Sequence, residues 1–205
     1  MSRADTVRLA REGIGALPLY LPDTAQCKVD LSDNTNLWGV PPAALQALRE
    51  APTNVLSRYP TLYSEPLRDA LLQYVGLATQ PDIGVVTGCG SDDVLDSTMR
   101  AFGGTGDTIV FSAPTFTMIP VLARLNGLTP LAIPFTNALD LDAERLVDAR
   151  AKITYLCAPN NPTATPVSRA AVEYVVDNAV GIVLIDVLTR THAGCIAGLF
   201  TRPWY

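Results

Sequence analysis

The sequence predicts an α/β domain built around a mostly parallel sheet. Short β-branched runs alternate with amphipathic stretches from residue 83 to residue 186, which is the signature of strand–helix units. The composition is globular, 48% hydrophobic and 17% charged. The 205 residues suffice for one domain with a substantial core, or for one domain and an incomplete second.

The first 40 residues are turn-rich, with pieces such as LPLYLPD and LSDNTN. Pro41 and Pro42 then open a helix over PPAALQALREA, since proline suits a first turn whose N–H groups lack partners. Leu67, Ala70, Leu71, Tyr74 and Val75 recur at helical spacing between Ser64, a candidate cap, and Gly76, a candidate stop. Strands are expected at 83–87 (IGVVT), 107–112 (DTIVFS), 130–135, 152–157 (KITYLC) and 181–186 (GIVLID). Helices are expected at 91–102, at 115–127 with Pro120 near its start, at 142–150 and at 168–180. No internal repeat is visible. Residues 187–205 break the pattern: they hold no acidic residue, although the preceding 186 hold all 20, and they carry the single histidine, His192.

A net charge of −5 argues against nucleic acid or an anionic membrane as the main partner. Cys27, Cys89, Cys157 and Cys195 are widely spaced with no CxxC pair, so neither a zinc site nor a disulfide framework is expected. The charged N-terminus lacks the apolar core of a signal peptide, and no apolar run approaches the roughly 20 residues of a membrane helix. The expectation is a cytoplasmic protein.

Three places stand out as candidate site elements. Gly88-Cys89-Gly90-Ser91-Asp92-Asp93 joins an expected strand to a helix; its glycines permit a tight turn whose N–H groups can hold a phosphate. Asp93 and Ser112 stand where a dinucleotide fingerprint wants glycine and an acid, and a plain turn capped by Ser91 accounts for the spacing equally well. Ala158-Pro159-Asn160-Asn161-Pro162-Thr163 follows a strand directly, at the edge where open α/β sheets bind ligands. A stiff turn whose asparagines satisfy the backbone is the simpler local account. Asp186 ends an apolar strand, either as a cap or as the partner of something cationic.

The order of these pieces carries more than any one of them. LPLYLPD (17–23), LSDNTNLWG (31–39), SRYP (57–60), GCGSDD (88–93), APTFTM (113–118), APNNPT (158–163) and VLID (183–186) occur in one register over roughly residues 14–186. This resembles the fold-type I, class I/II pyridoxal-phosphate aminotransferases, most closely those acting on histidinol phosphate. The resemblance implies an incomplete three-layer sandwich, a mostly parallel sheet flanked by helices, with an N-terminal arm. It divides the chain into an arm with part of a small domain (1–50), a partial large cofactor-binding domain (51–186) and an atypical tail (187–205), read as out of frame.

The resemblance also assigns roles. Gly90, Ser91 and Asp92 would lie at the phosphate of pyridoxal 5′-phosphate. Phe116 would stack on its ring where the family usually has tyrosine, Asn161 would bond the ring's 3′ oxygen, and Asp186 would hold the pyridine nitrogen protonated. Tyr59 would reach the cofactor of a partner subunit in a homodimer, and Tyr20 and Asn34 would face the substrate. Ala164 replaces the glycine that usually closes PNNPTG. Thr35, Leu37 and Trp38 depart from the family's Glu, Pro and Phe, and Val187-Leu188-Thr189 from its Glu-Ala-Tyr. The lysines, Lys28 and Lys152, do not match the Schiff-base lysine, so no residue here is assigned as catalytic. The expected function is amino transfer between an amino acid or histidinol phosphate and a 2-oxo acid, with weak or absent cofactor binding and little activity for these 205 residues. Decarboxylation or lyase chemistry on the same scaffold, and a non-catalytic phosphate-binding fragment, are the alternatives.

Overall fold

The computed structural model describes residues 9, 11, 14–17, 28, 29, 36, 38–61, 64–188 and 195–200, with the backbone alone at 16, 188 and 195–200. Two compact units emerge, Leu19–Thr87 and a larger one formed by Met1–Pro18 with Gly88–Tyr205. In the smaller unit, α1 (Pro42–Glu50) begins at the expected proline, α2 (Thr53–Leu56) is one turn, and α3 (Glu65–Tyr74) starts after Ser64. None of these three helices buries a residue.

The larger unit contains α4 (Gly90–Phe102), β1 (Thr108–Ala113), α5 (Met118–Leu125), β2 (Thr129–Pro134), α6 (Ala143–Asp148), β3 (Ile153–Ala158), α7 (Arg169–Asn178), β4 (Ile182–Leu188) and β5 (Cys195–Phe200). The sheet order is β2-β1-β3-β4-β5. β1 runs parallel to both β2 and β3, β3 parallel to β4, and β5 antiparallel to β4. Each helix between parallel strands returns the chain to the start of the next one, as parallel pairing requires.

Alternation along the strands sends side chains to two faces. Ile109 and Phe111 of β1, Ile153 and Tyr155 of β3, and Leu184 of β4 pack with Leu95 and Met99 of α4 and Ile119 and Leu122 of α5. Val110, Leu156, Val183 and Ile185 pack on the other side with Leu146 of α6 and Val175 of α7. The result is helix, sheet, helix: three layers around two apolar seams. Local signals fix the ends. Asp142 and Ser168 cap α6 and α7, accepting from Arg145 N–H at 3.3 Å and Ala171 N–H at 3.2 Å. Gly127, at φ +76°, closes α5, with its N–H bonded to Arg124 O and that of Leu128 to Ala123 O. That pair of bonds needs a left-handed residue, which glycine supplies without steric cost. The Arg11 guanidinium donates to Leu125 O at the same end, where a cation also suits the helix dipole.

Four sequence expectations are corrected. Residues 83–87 form no strand, and Val86 there is 82% exposed. An apolar run becomes a strand by pairing, and no described strand offers 83–87 a ladder. Within the tail, where no element is expected, Cys195–Phe200 pairs along β4 from Val183 to Leu188. Ser91 is not a cap: α4 begins one residue earlier, with Cys89 at the cap, and the Asp93 carboxylate accepts from Cys89 N–H at 2.8 Å. The α5 helix is also shorter than expected, because Thr115 to Thr117 are spent turning out of β1.

Candidate active site at the carboxyl ends of the strands

The carboxyl end of the parallel sheet gathers most of the candidate residues. In register, Cys157 of β3 faces Asp186 of β4, and Tyr155 faces Leu184. Tyr155, Cys157 and Asp186 therefore share the face covered by α4 and α5, and the Tyr155 ring reaches diagonally toward the strand end. Its hydroxyl donates to Asp186 Oδ2 at 2.8 Å. Tyr155 is 1% exposed and Asp186 6%, so this is a buried polar pair inside an apolar seam.

Asp186 Oδ1 is buried and has no hydrogen-bond partner among the described residues. An acceptor left in that condition costs about 1–3 kcal/mol, and more when charged. Burial is the main cause that pushes the Asp186 carboxyl above the ordinary aspartate range, and Asp92 adds to it, while the Tyr155 hydrogen bond opposes the rise. Burial and the neighbouring Asp186 charge push the Tyr155 phenol far upward, so it remains a donor. The helix α4 packs on this same seam through Leu95 and Met99, and Asp92 lies in its first turn. Desolvation raises the Asp92 carboxyl too.

Gly90 adopts φ +79°, a conformation that opens the helix here and that a Cβ would strain even though nothing lies within 4 Å of it. The free N–H groups of this 13-residue helix are thus presented at its start, beside the strand ends. Phe116, in the loop after β1, is half-buried against the same apolar seam.

The two asparagines of APNNPT divide the work. Asn160, 2% exposed, donates from Nδ2 to Pro114 O at 3.0 Å and to Thr163 Oγ1 at 2.8 Å. Its N–H and C=O bond Thr165 O and Ala164 N–H at 2.9 and 2.7 Å. It ties the loop after β3 to the loop carrying Phe116. Asn161 is exposed, and its N–H approaches Cys157 Sγ at 3.4 Å.

The remaining expected residues are Tyr59, Tyr20 and Asn34. Tyr59 belongs to the other unit, where it is 100% exposed, and Tyr20 and Asn34 lie outside the described residues. Lys152 precedes β3 at its amino end, roughly 20 Å of strand from Ala158 at about 3.3 Å per residue. Sequence reasoning missed Tyr155, whereas Asn160 does what the stiff-turn account expected of it, satisfying backbone groups. A tyrosine inside a fully buried parallel strand was the available signal, because its hydroxyl must find a partner. Ser112 Oγ is a second buried atom without a partner among the described residues, on the opposite face of β1 with Val110.

Residues 26–195 match the sequence profile of the family described as aminotransferase class I and II. Over 185 residues the chain is 38% identical to a histidinol-phosphate aminotransferase of Roseiflexus castenholzii, covering 85% of this chain and 48% of that one. It is 33% identical over 161 residues to an aromatic amino acid aminotransferase of Cutibacterium acnes, covering 76% and 44%. Among solved structures it resembles a Thermus thermophilus aspartate aminotransferase with maleate, at TM-score 0.67 and 24% identity over 77% of this chain and 44% of that one. It also resembles the Clostridium acetobutylicum histidinol-phosphate aminotransferase, at TM-score 0.64 and 20% identity over 75% and 45%. These two structures share its fold, the layered sandwich expected from the sequence. The chain spans about half the length of the curated relatives it matches.

Proposed function

This chain belongs to the class I and II aminotransferases, and on that premise we propose that it forms the cofactor-holding part of an enzyme moving an amino group between an amino acid or histidinol phosphate and a 2-oxo acid. The cofactor of this reading is pyridoxal 5′-phosphate. When bound, it supplies a cationic pyridine ring that withdraws electrons from the reacting carbon.

One observation carries the reading: Asp186 Oδ1, buried and without a partner among the described residues, at the ligand-binding end of the sheet. A pyridinium N–H would satisfy that atom and offset the cost of burying its charge. Around it, the N–H groups of Gly90, Ser91 and Asp92 at the start of α4 would donate to the phosphate. Phe116 would cover one face of the ring, without the hydroxyl a tyrosine would add. Asn161 would donate to the 3′ oxygen, while Asn160 keeps that loop in place. Tyr59 would serve the site of a second copy, and Tyr20 and Asn34 would meet substrate. The relatives named for histidinol phosphate support that amino donor over others.

Proton transfer at the substrate carbon needs a positioned base, worth about 10²–10⁴-fold. Lys152 stands at the amino end of β3, away from the site, and Lys28 does not match the family's Schiff-base position. The 205-residue polypeptide is therefore expected to bind the cofactor weakly through phosphate and ring contacts, and by itself to turn over little or nothing. The test is titration of the purified chain with pyridoxal phosphate, followed by borohydride trapping and mass spectrometry. Saturable binding weakened by Asp186→Asn, with no single lysine labelled, is expected. Binding indifferent to Asp186, or multiple turnovers with histidinol phosphate and 2-oxoglutarate, would refute it.

A further inference from the structure

We propose that Tyr155 is a positioning residue, whose hydroxyl holds Asp186 by Oδ2 so that Oδ1 alone is presented to the ring nitrogen of a bound pyridine ligand. The inference rests on the reading of Asp186 above and deepens it.

A carboxylate at a strand end can rotate about its side-chain bonds and has two equivalent oxygens. Only one oxygen and one orientation serve a ligand that arrives from the helix-covered face. Here one oxygen is engaged at 2.8 Å by a phenol whose ring is buried in the seam that also holds Leu95, Met99 and Phe111. The other is buried and has no partner among the described residues. The pairing spans 31 residues of sequence and joins adjacent strands, so it is set by the β3–β4 register and not by local chain geometry.

The phenol also links the two polar ends of the site. Cys157 lies two residues along β3 on the same face, in the same buried seam as Tyr155. Its Sγ in turn meets Asn161 N–H at 3.4 Å and Pro159 O at 3.5 Å. A donor to the ionised form favours that form. Tyr155 thus has two effects on Asp186, orientation and retention of charge, and a residue that merely filled space would have neither.

The test uses the full chain and two probes, pyridoxamine 5′-phosphate and its analogue with C–H in place of the ring nitrogen. The ratio of their dissociation constants isolates the nitrogen's contribution. Tyr155→Phe keeps the ring and removes the hydroxyl. It is expected to shrink that ratio about tenfold, the order of a hydrogen bond to a charged group, while affinity for the nitrogen-free analogue stays unchanged. An unchanged ratio, or an equal loss for both probes, overturns the proposal. Asp186→Asn should abolish the ratio altogether; if it does not, the reading of Asp186 fails first, and the two failures are told apart. Should Tyr155→Phe not fold, 3-fluorotyrosine at 155, a stronger donor of nearly the same size, must lower the midpoint of the Asp186 carboxyl titration followed by ¹³C NMR. An unmoved midpoint would overturn the proposal as surely.

Discussion

Ala164 sits at φ +53°, in the left-handed region, where its N–H closes the APNNPT loop onto Asn160 O at 2.7 Å. An L-residue there brings Cβ against the following carbonyl at a cost of roughly 1–2 kcal/mol, which glycine avoids. Glycine in turn loses more freedom on folding, about 0.4–1 kcal/mol. The two terms leave Ala164→Gly more stable by about 0.5–1 kcal/mol, and for a chain of this size that is a rise in Tm of about 1–4 °C. Ala164 is exposed, so no packing term competes. Ala164→Val tests the same reasoning with the opposite sign, because a β-branched residue tolerates positive φ least; a loss of about 1 kcal/mol is expected. Urea unfolding of the three proteins gives the comparison directly. If glycine leaves the midpoint unchanged or lowers it, or if valine raises it, the strain argument is wrong.

Three further outcomes follow from named contacts. The raised Asp186 carboxyl binds its proton more tightly in the folded, ligand-free chain than when unfolded, so its stabilising contribution is complete below the ordinary aspartate value and is lost as pH rises through the raised folded value. The stability of Asp186→Asn relative to the parent should therefore increase from about pH 4 toward neutrality, and parallel curves in pH-dependent urea denaturation would contradict this. Gly181→Ala would drive a Cβ into the backbone carbonyl oxygens of Lys152 and Ala151 at the start of β4, where neither can retreat. A loss of about 2–3 kcal/mol or failure to fold is expected, read from yield and Tm, and near-parental stability would refute it. Ser168→Ala removes the side-chain cap of α7 and should cost about 1 kcal/mol by chemical denaturation; a change below a few tenths would show the cap to be idle.

The parallel strands β1 to β4 and the helices between them were legible in the sequence because each is specified within a dozen residues. β-branched runs such as TIVF and IVLI and the Pro41–Pro42 helix start act locally, and the fold kept them, while the caps at Asp142 and Ser168 were not singled out. The order of the motifs likewise pointed to the family that the comparisons show. What the tertiary structure decided is pairing. IGVVT at 83–87 has strand composition and no ladder, whereas CIAGLF at 195–200, with no period to announce it, gains one along β4. Strand formation is a property of two segments, and a sequence window contains only one. The same holds at the site. Asp186 was visible as an acid at a strand end, but that only one of its oxygens lacks a partner among the described residues is because Tyr155, 31 residues earlier, occupies the other across a register of hydrogen bonds that no local pattern encodes.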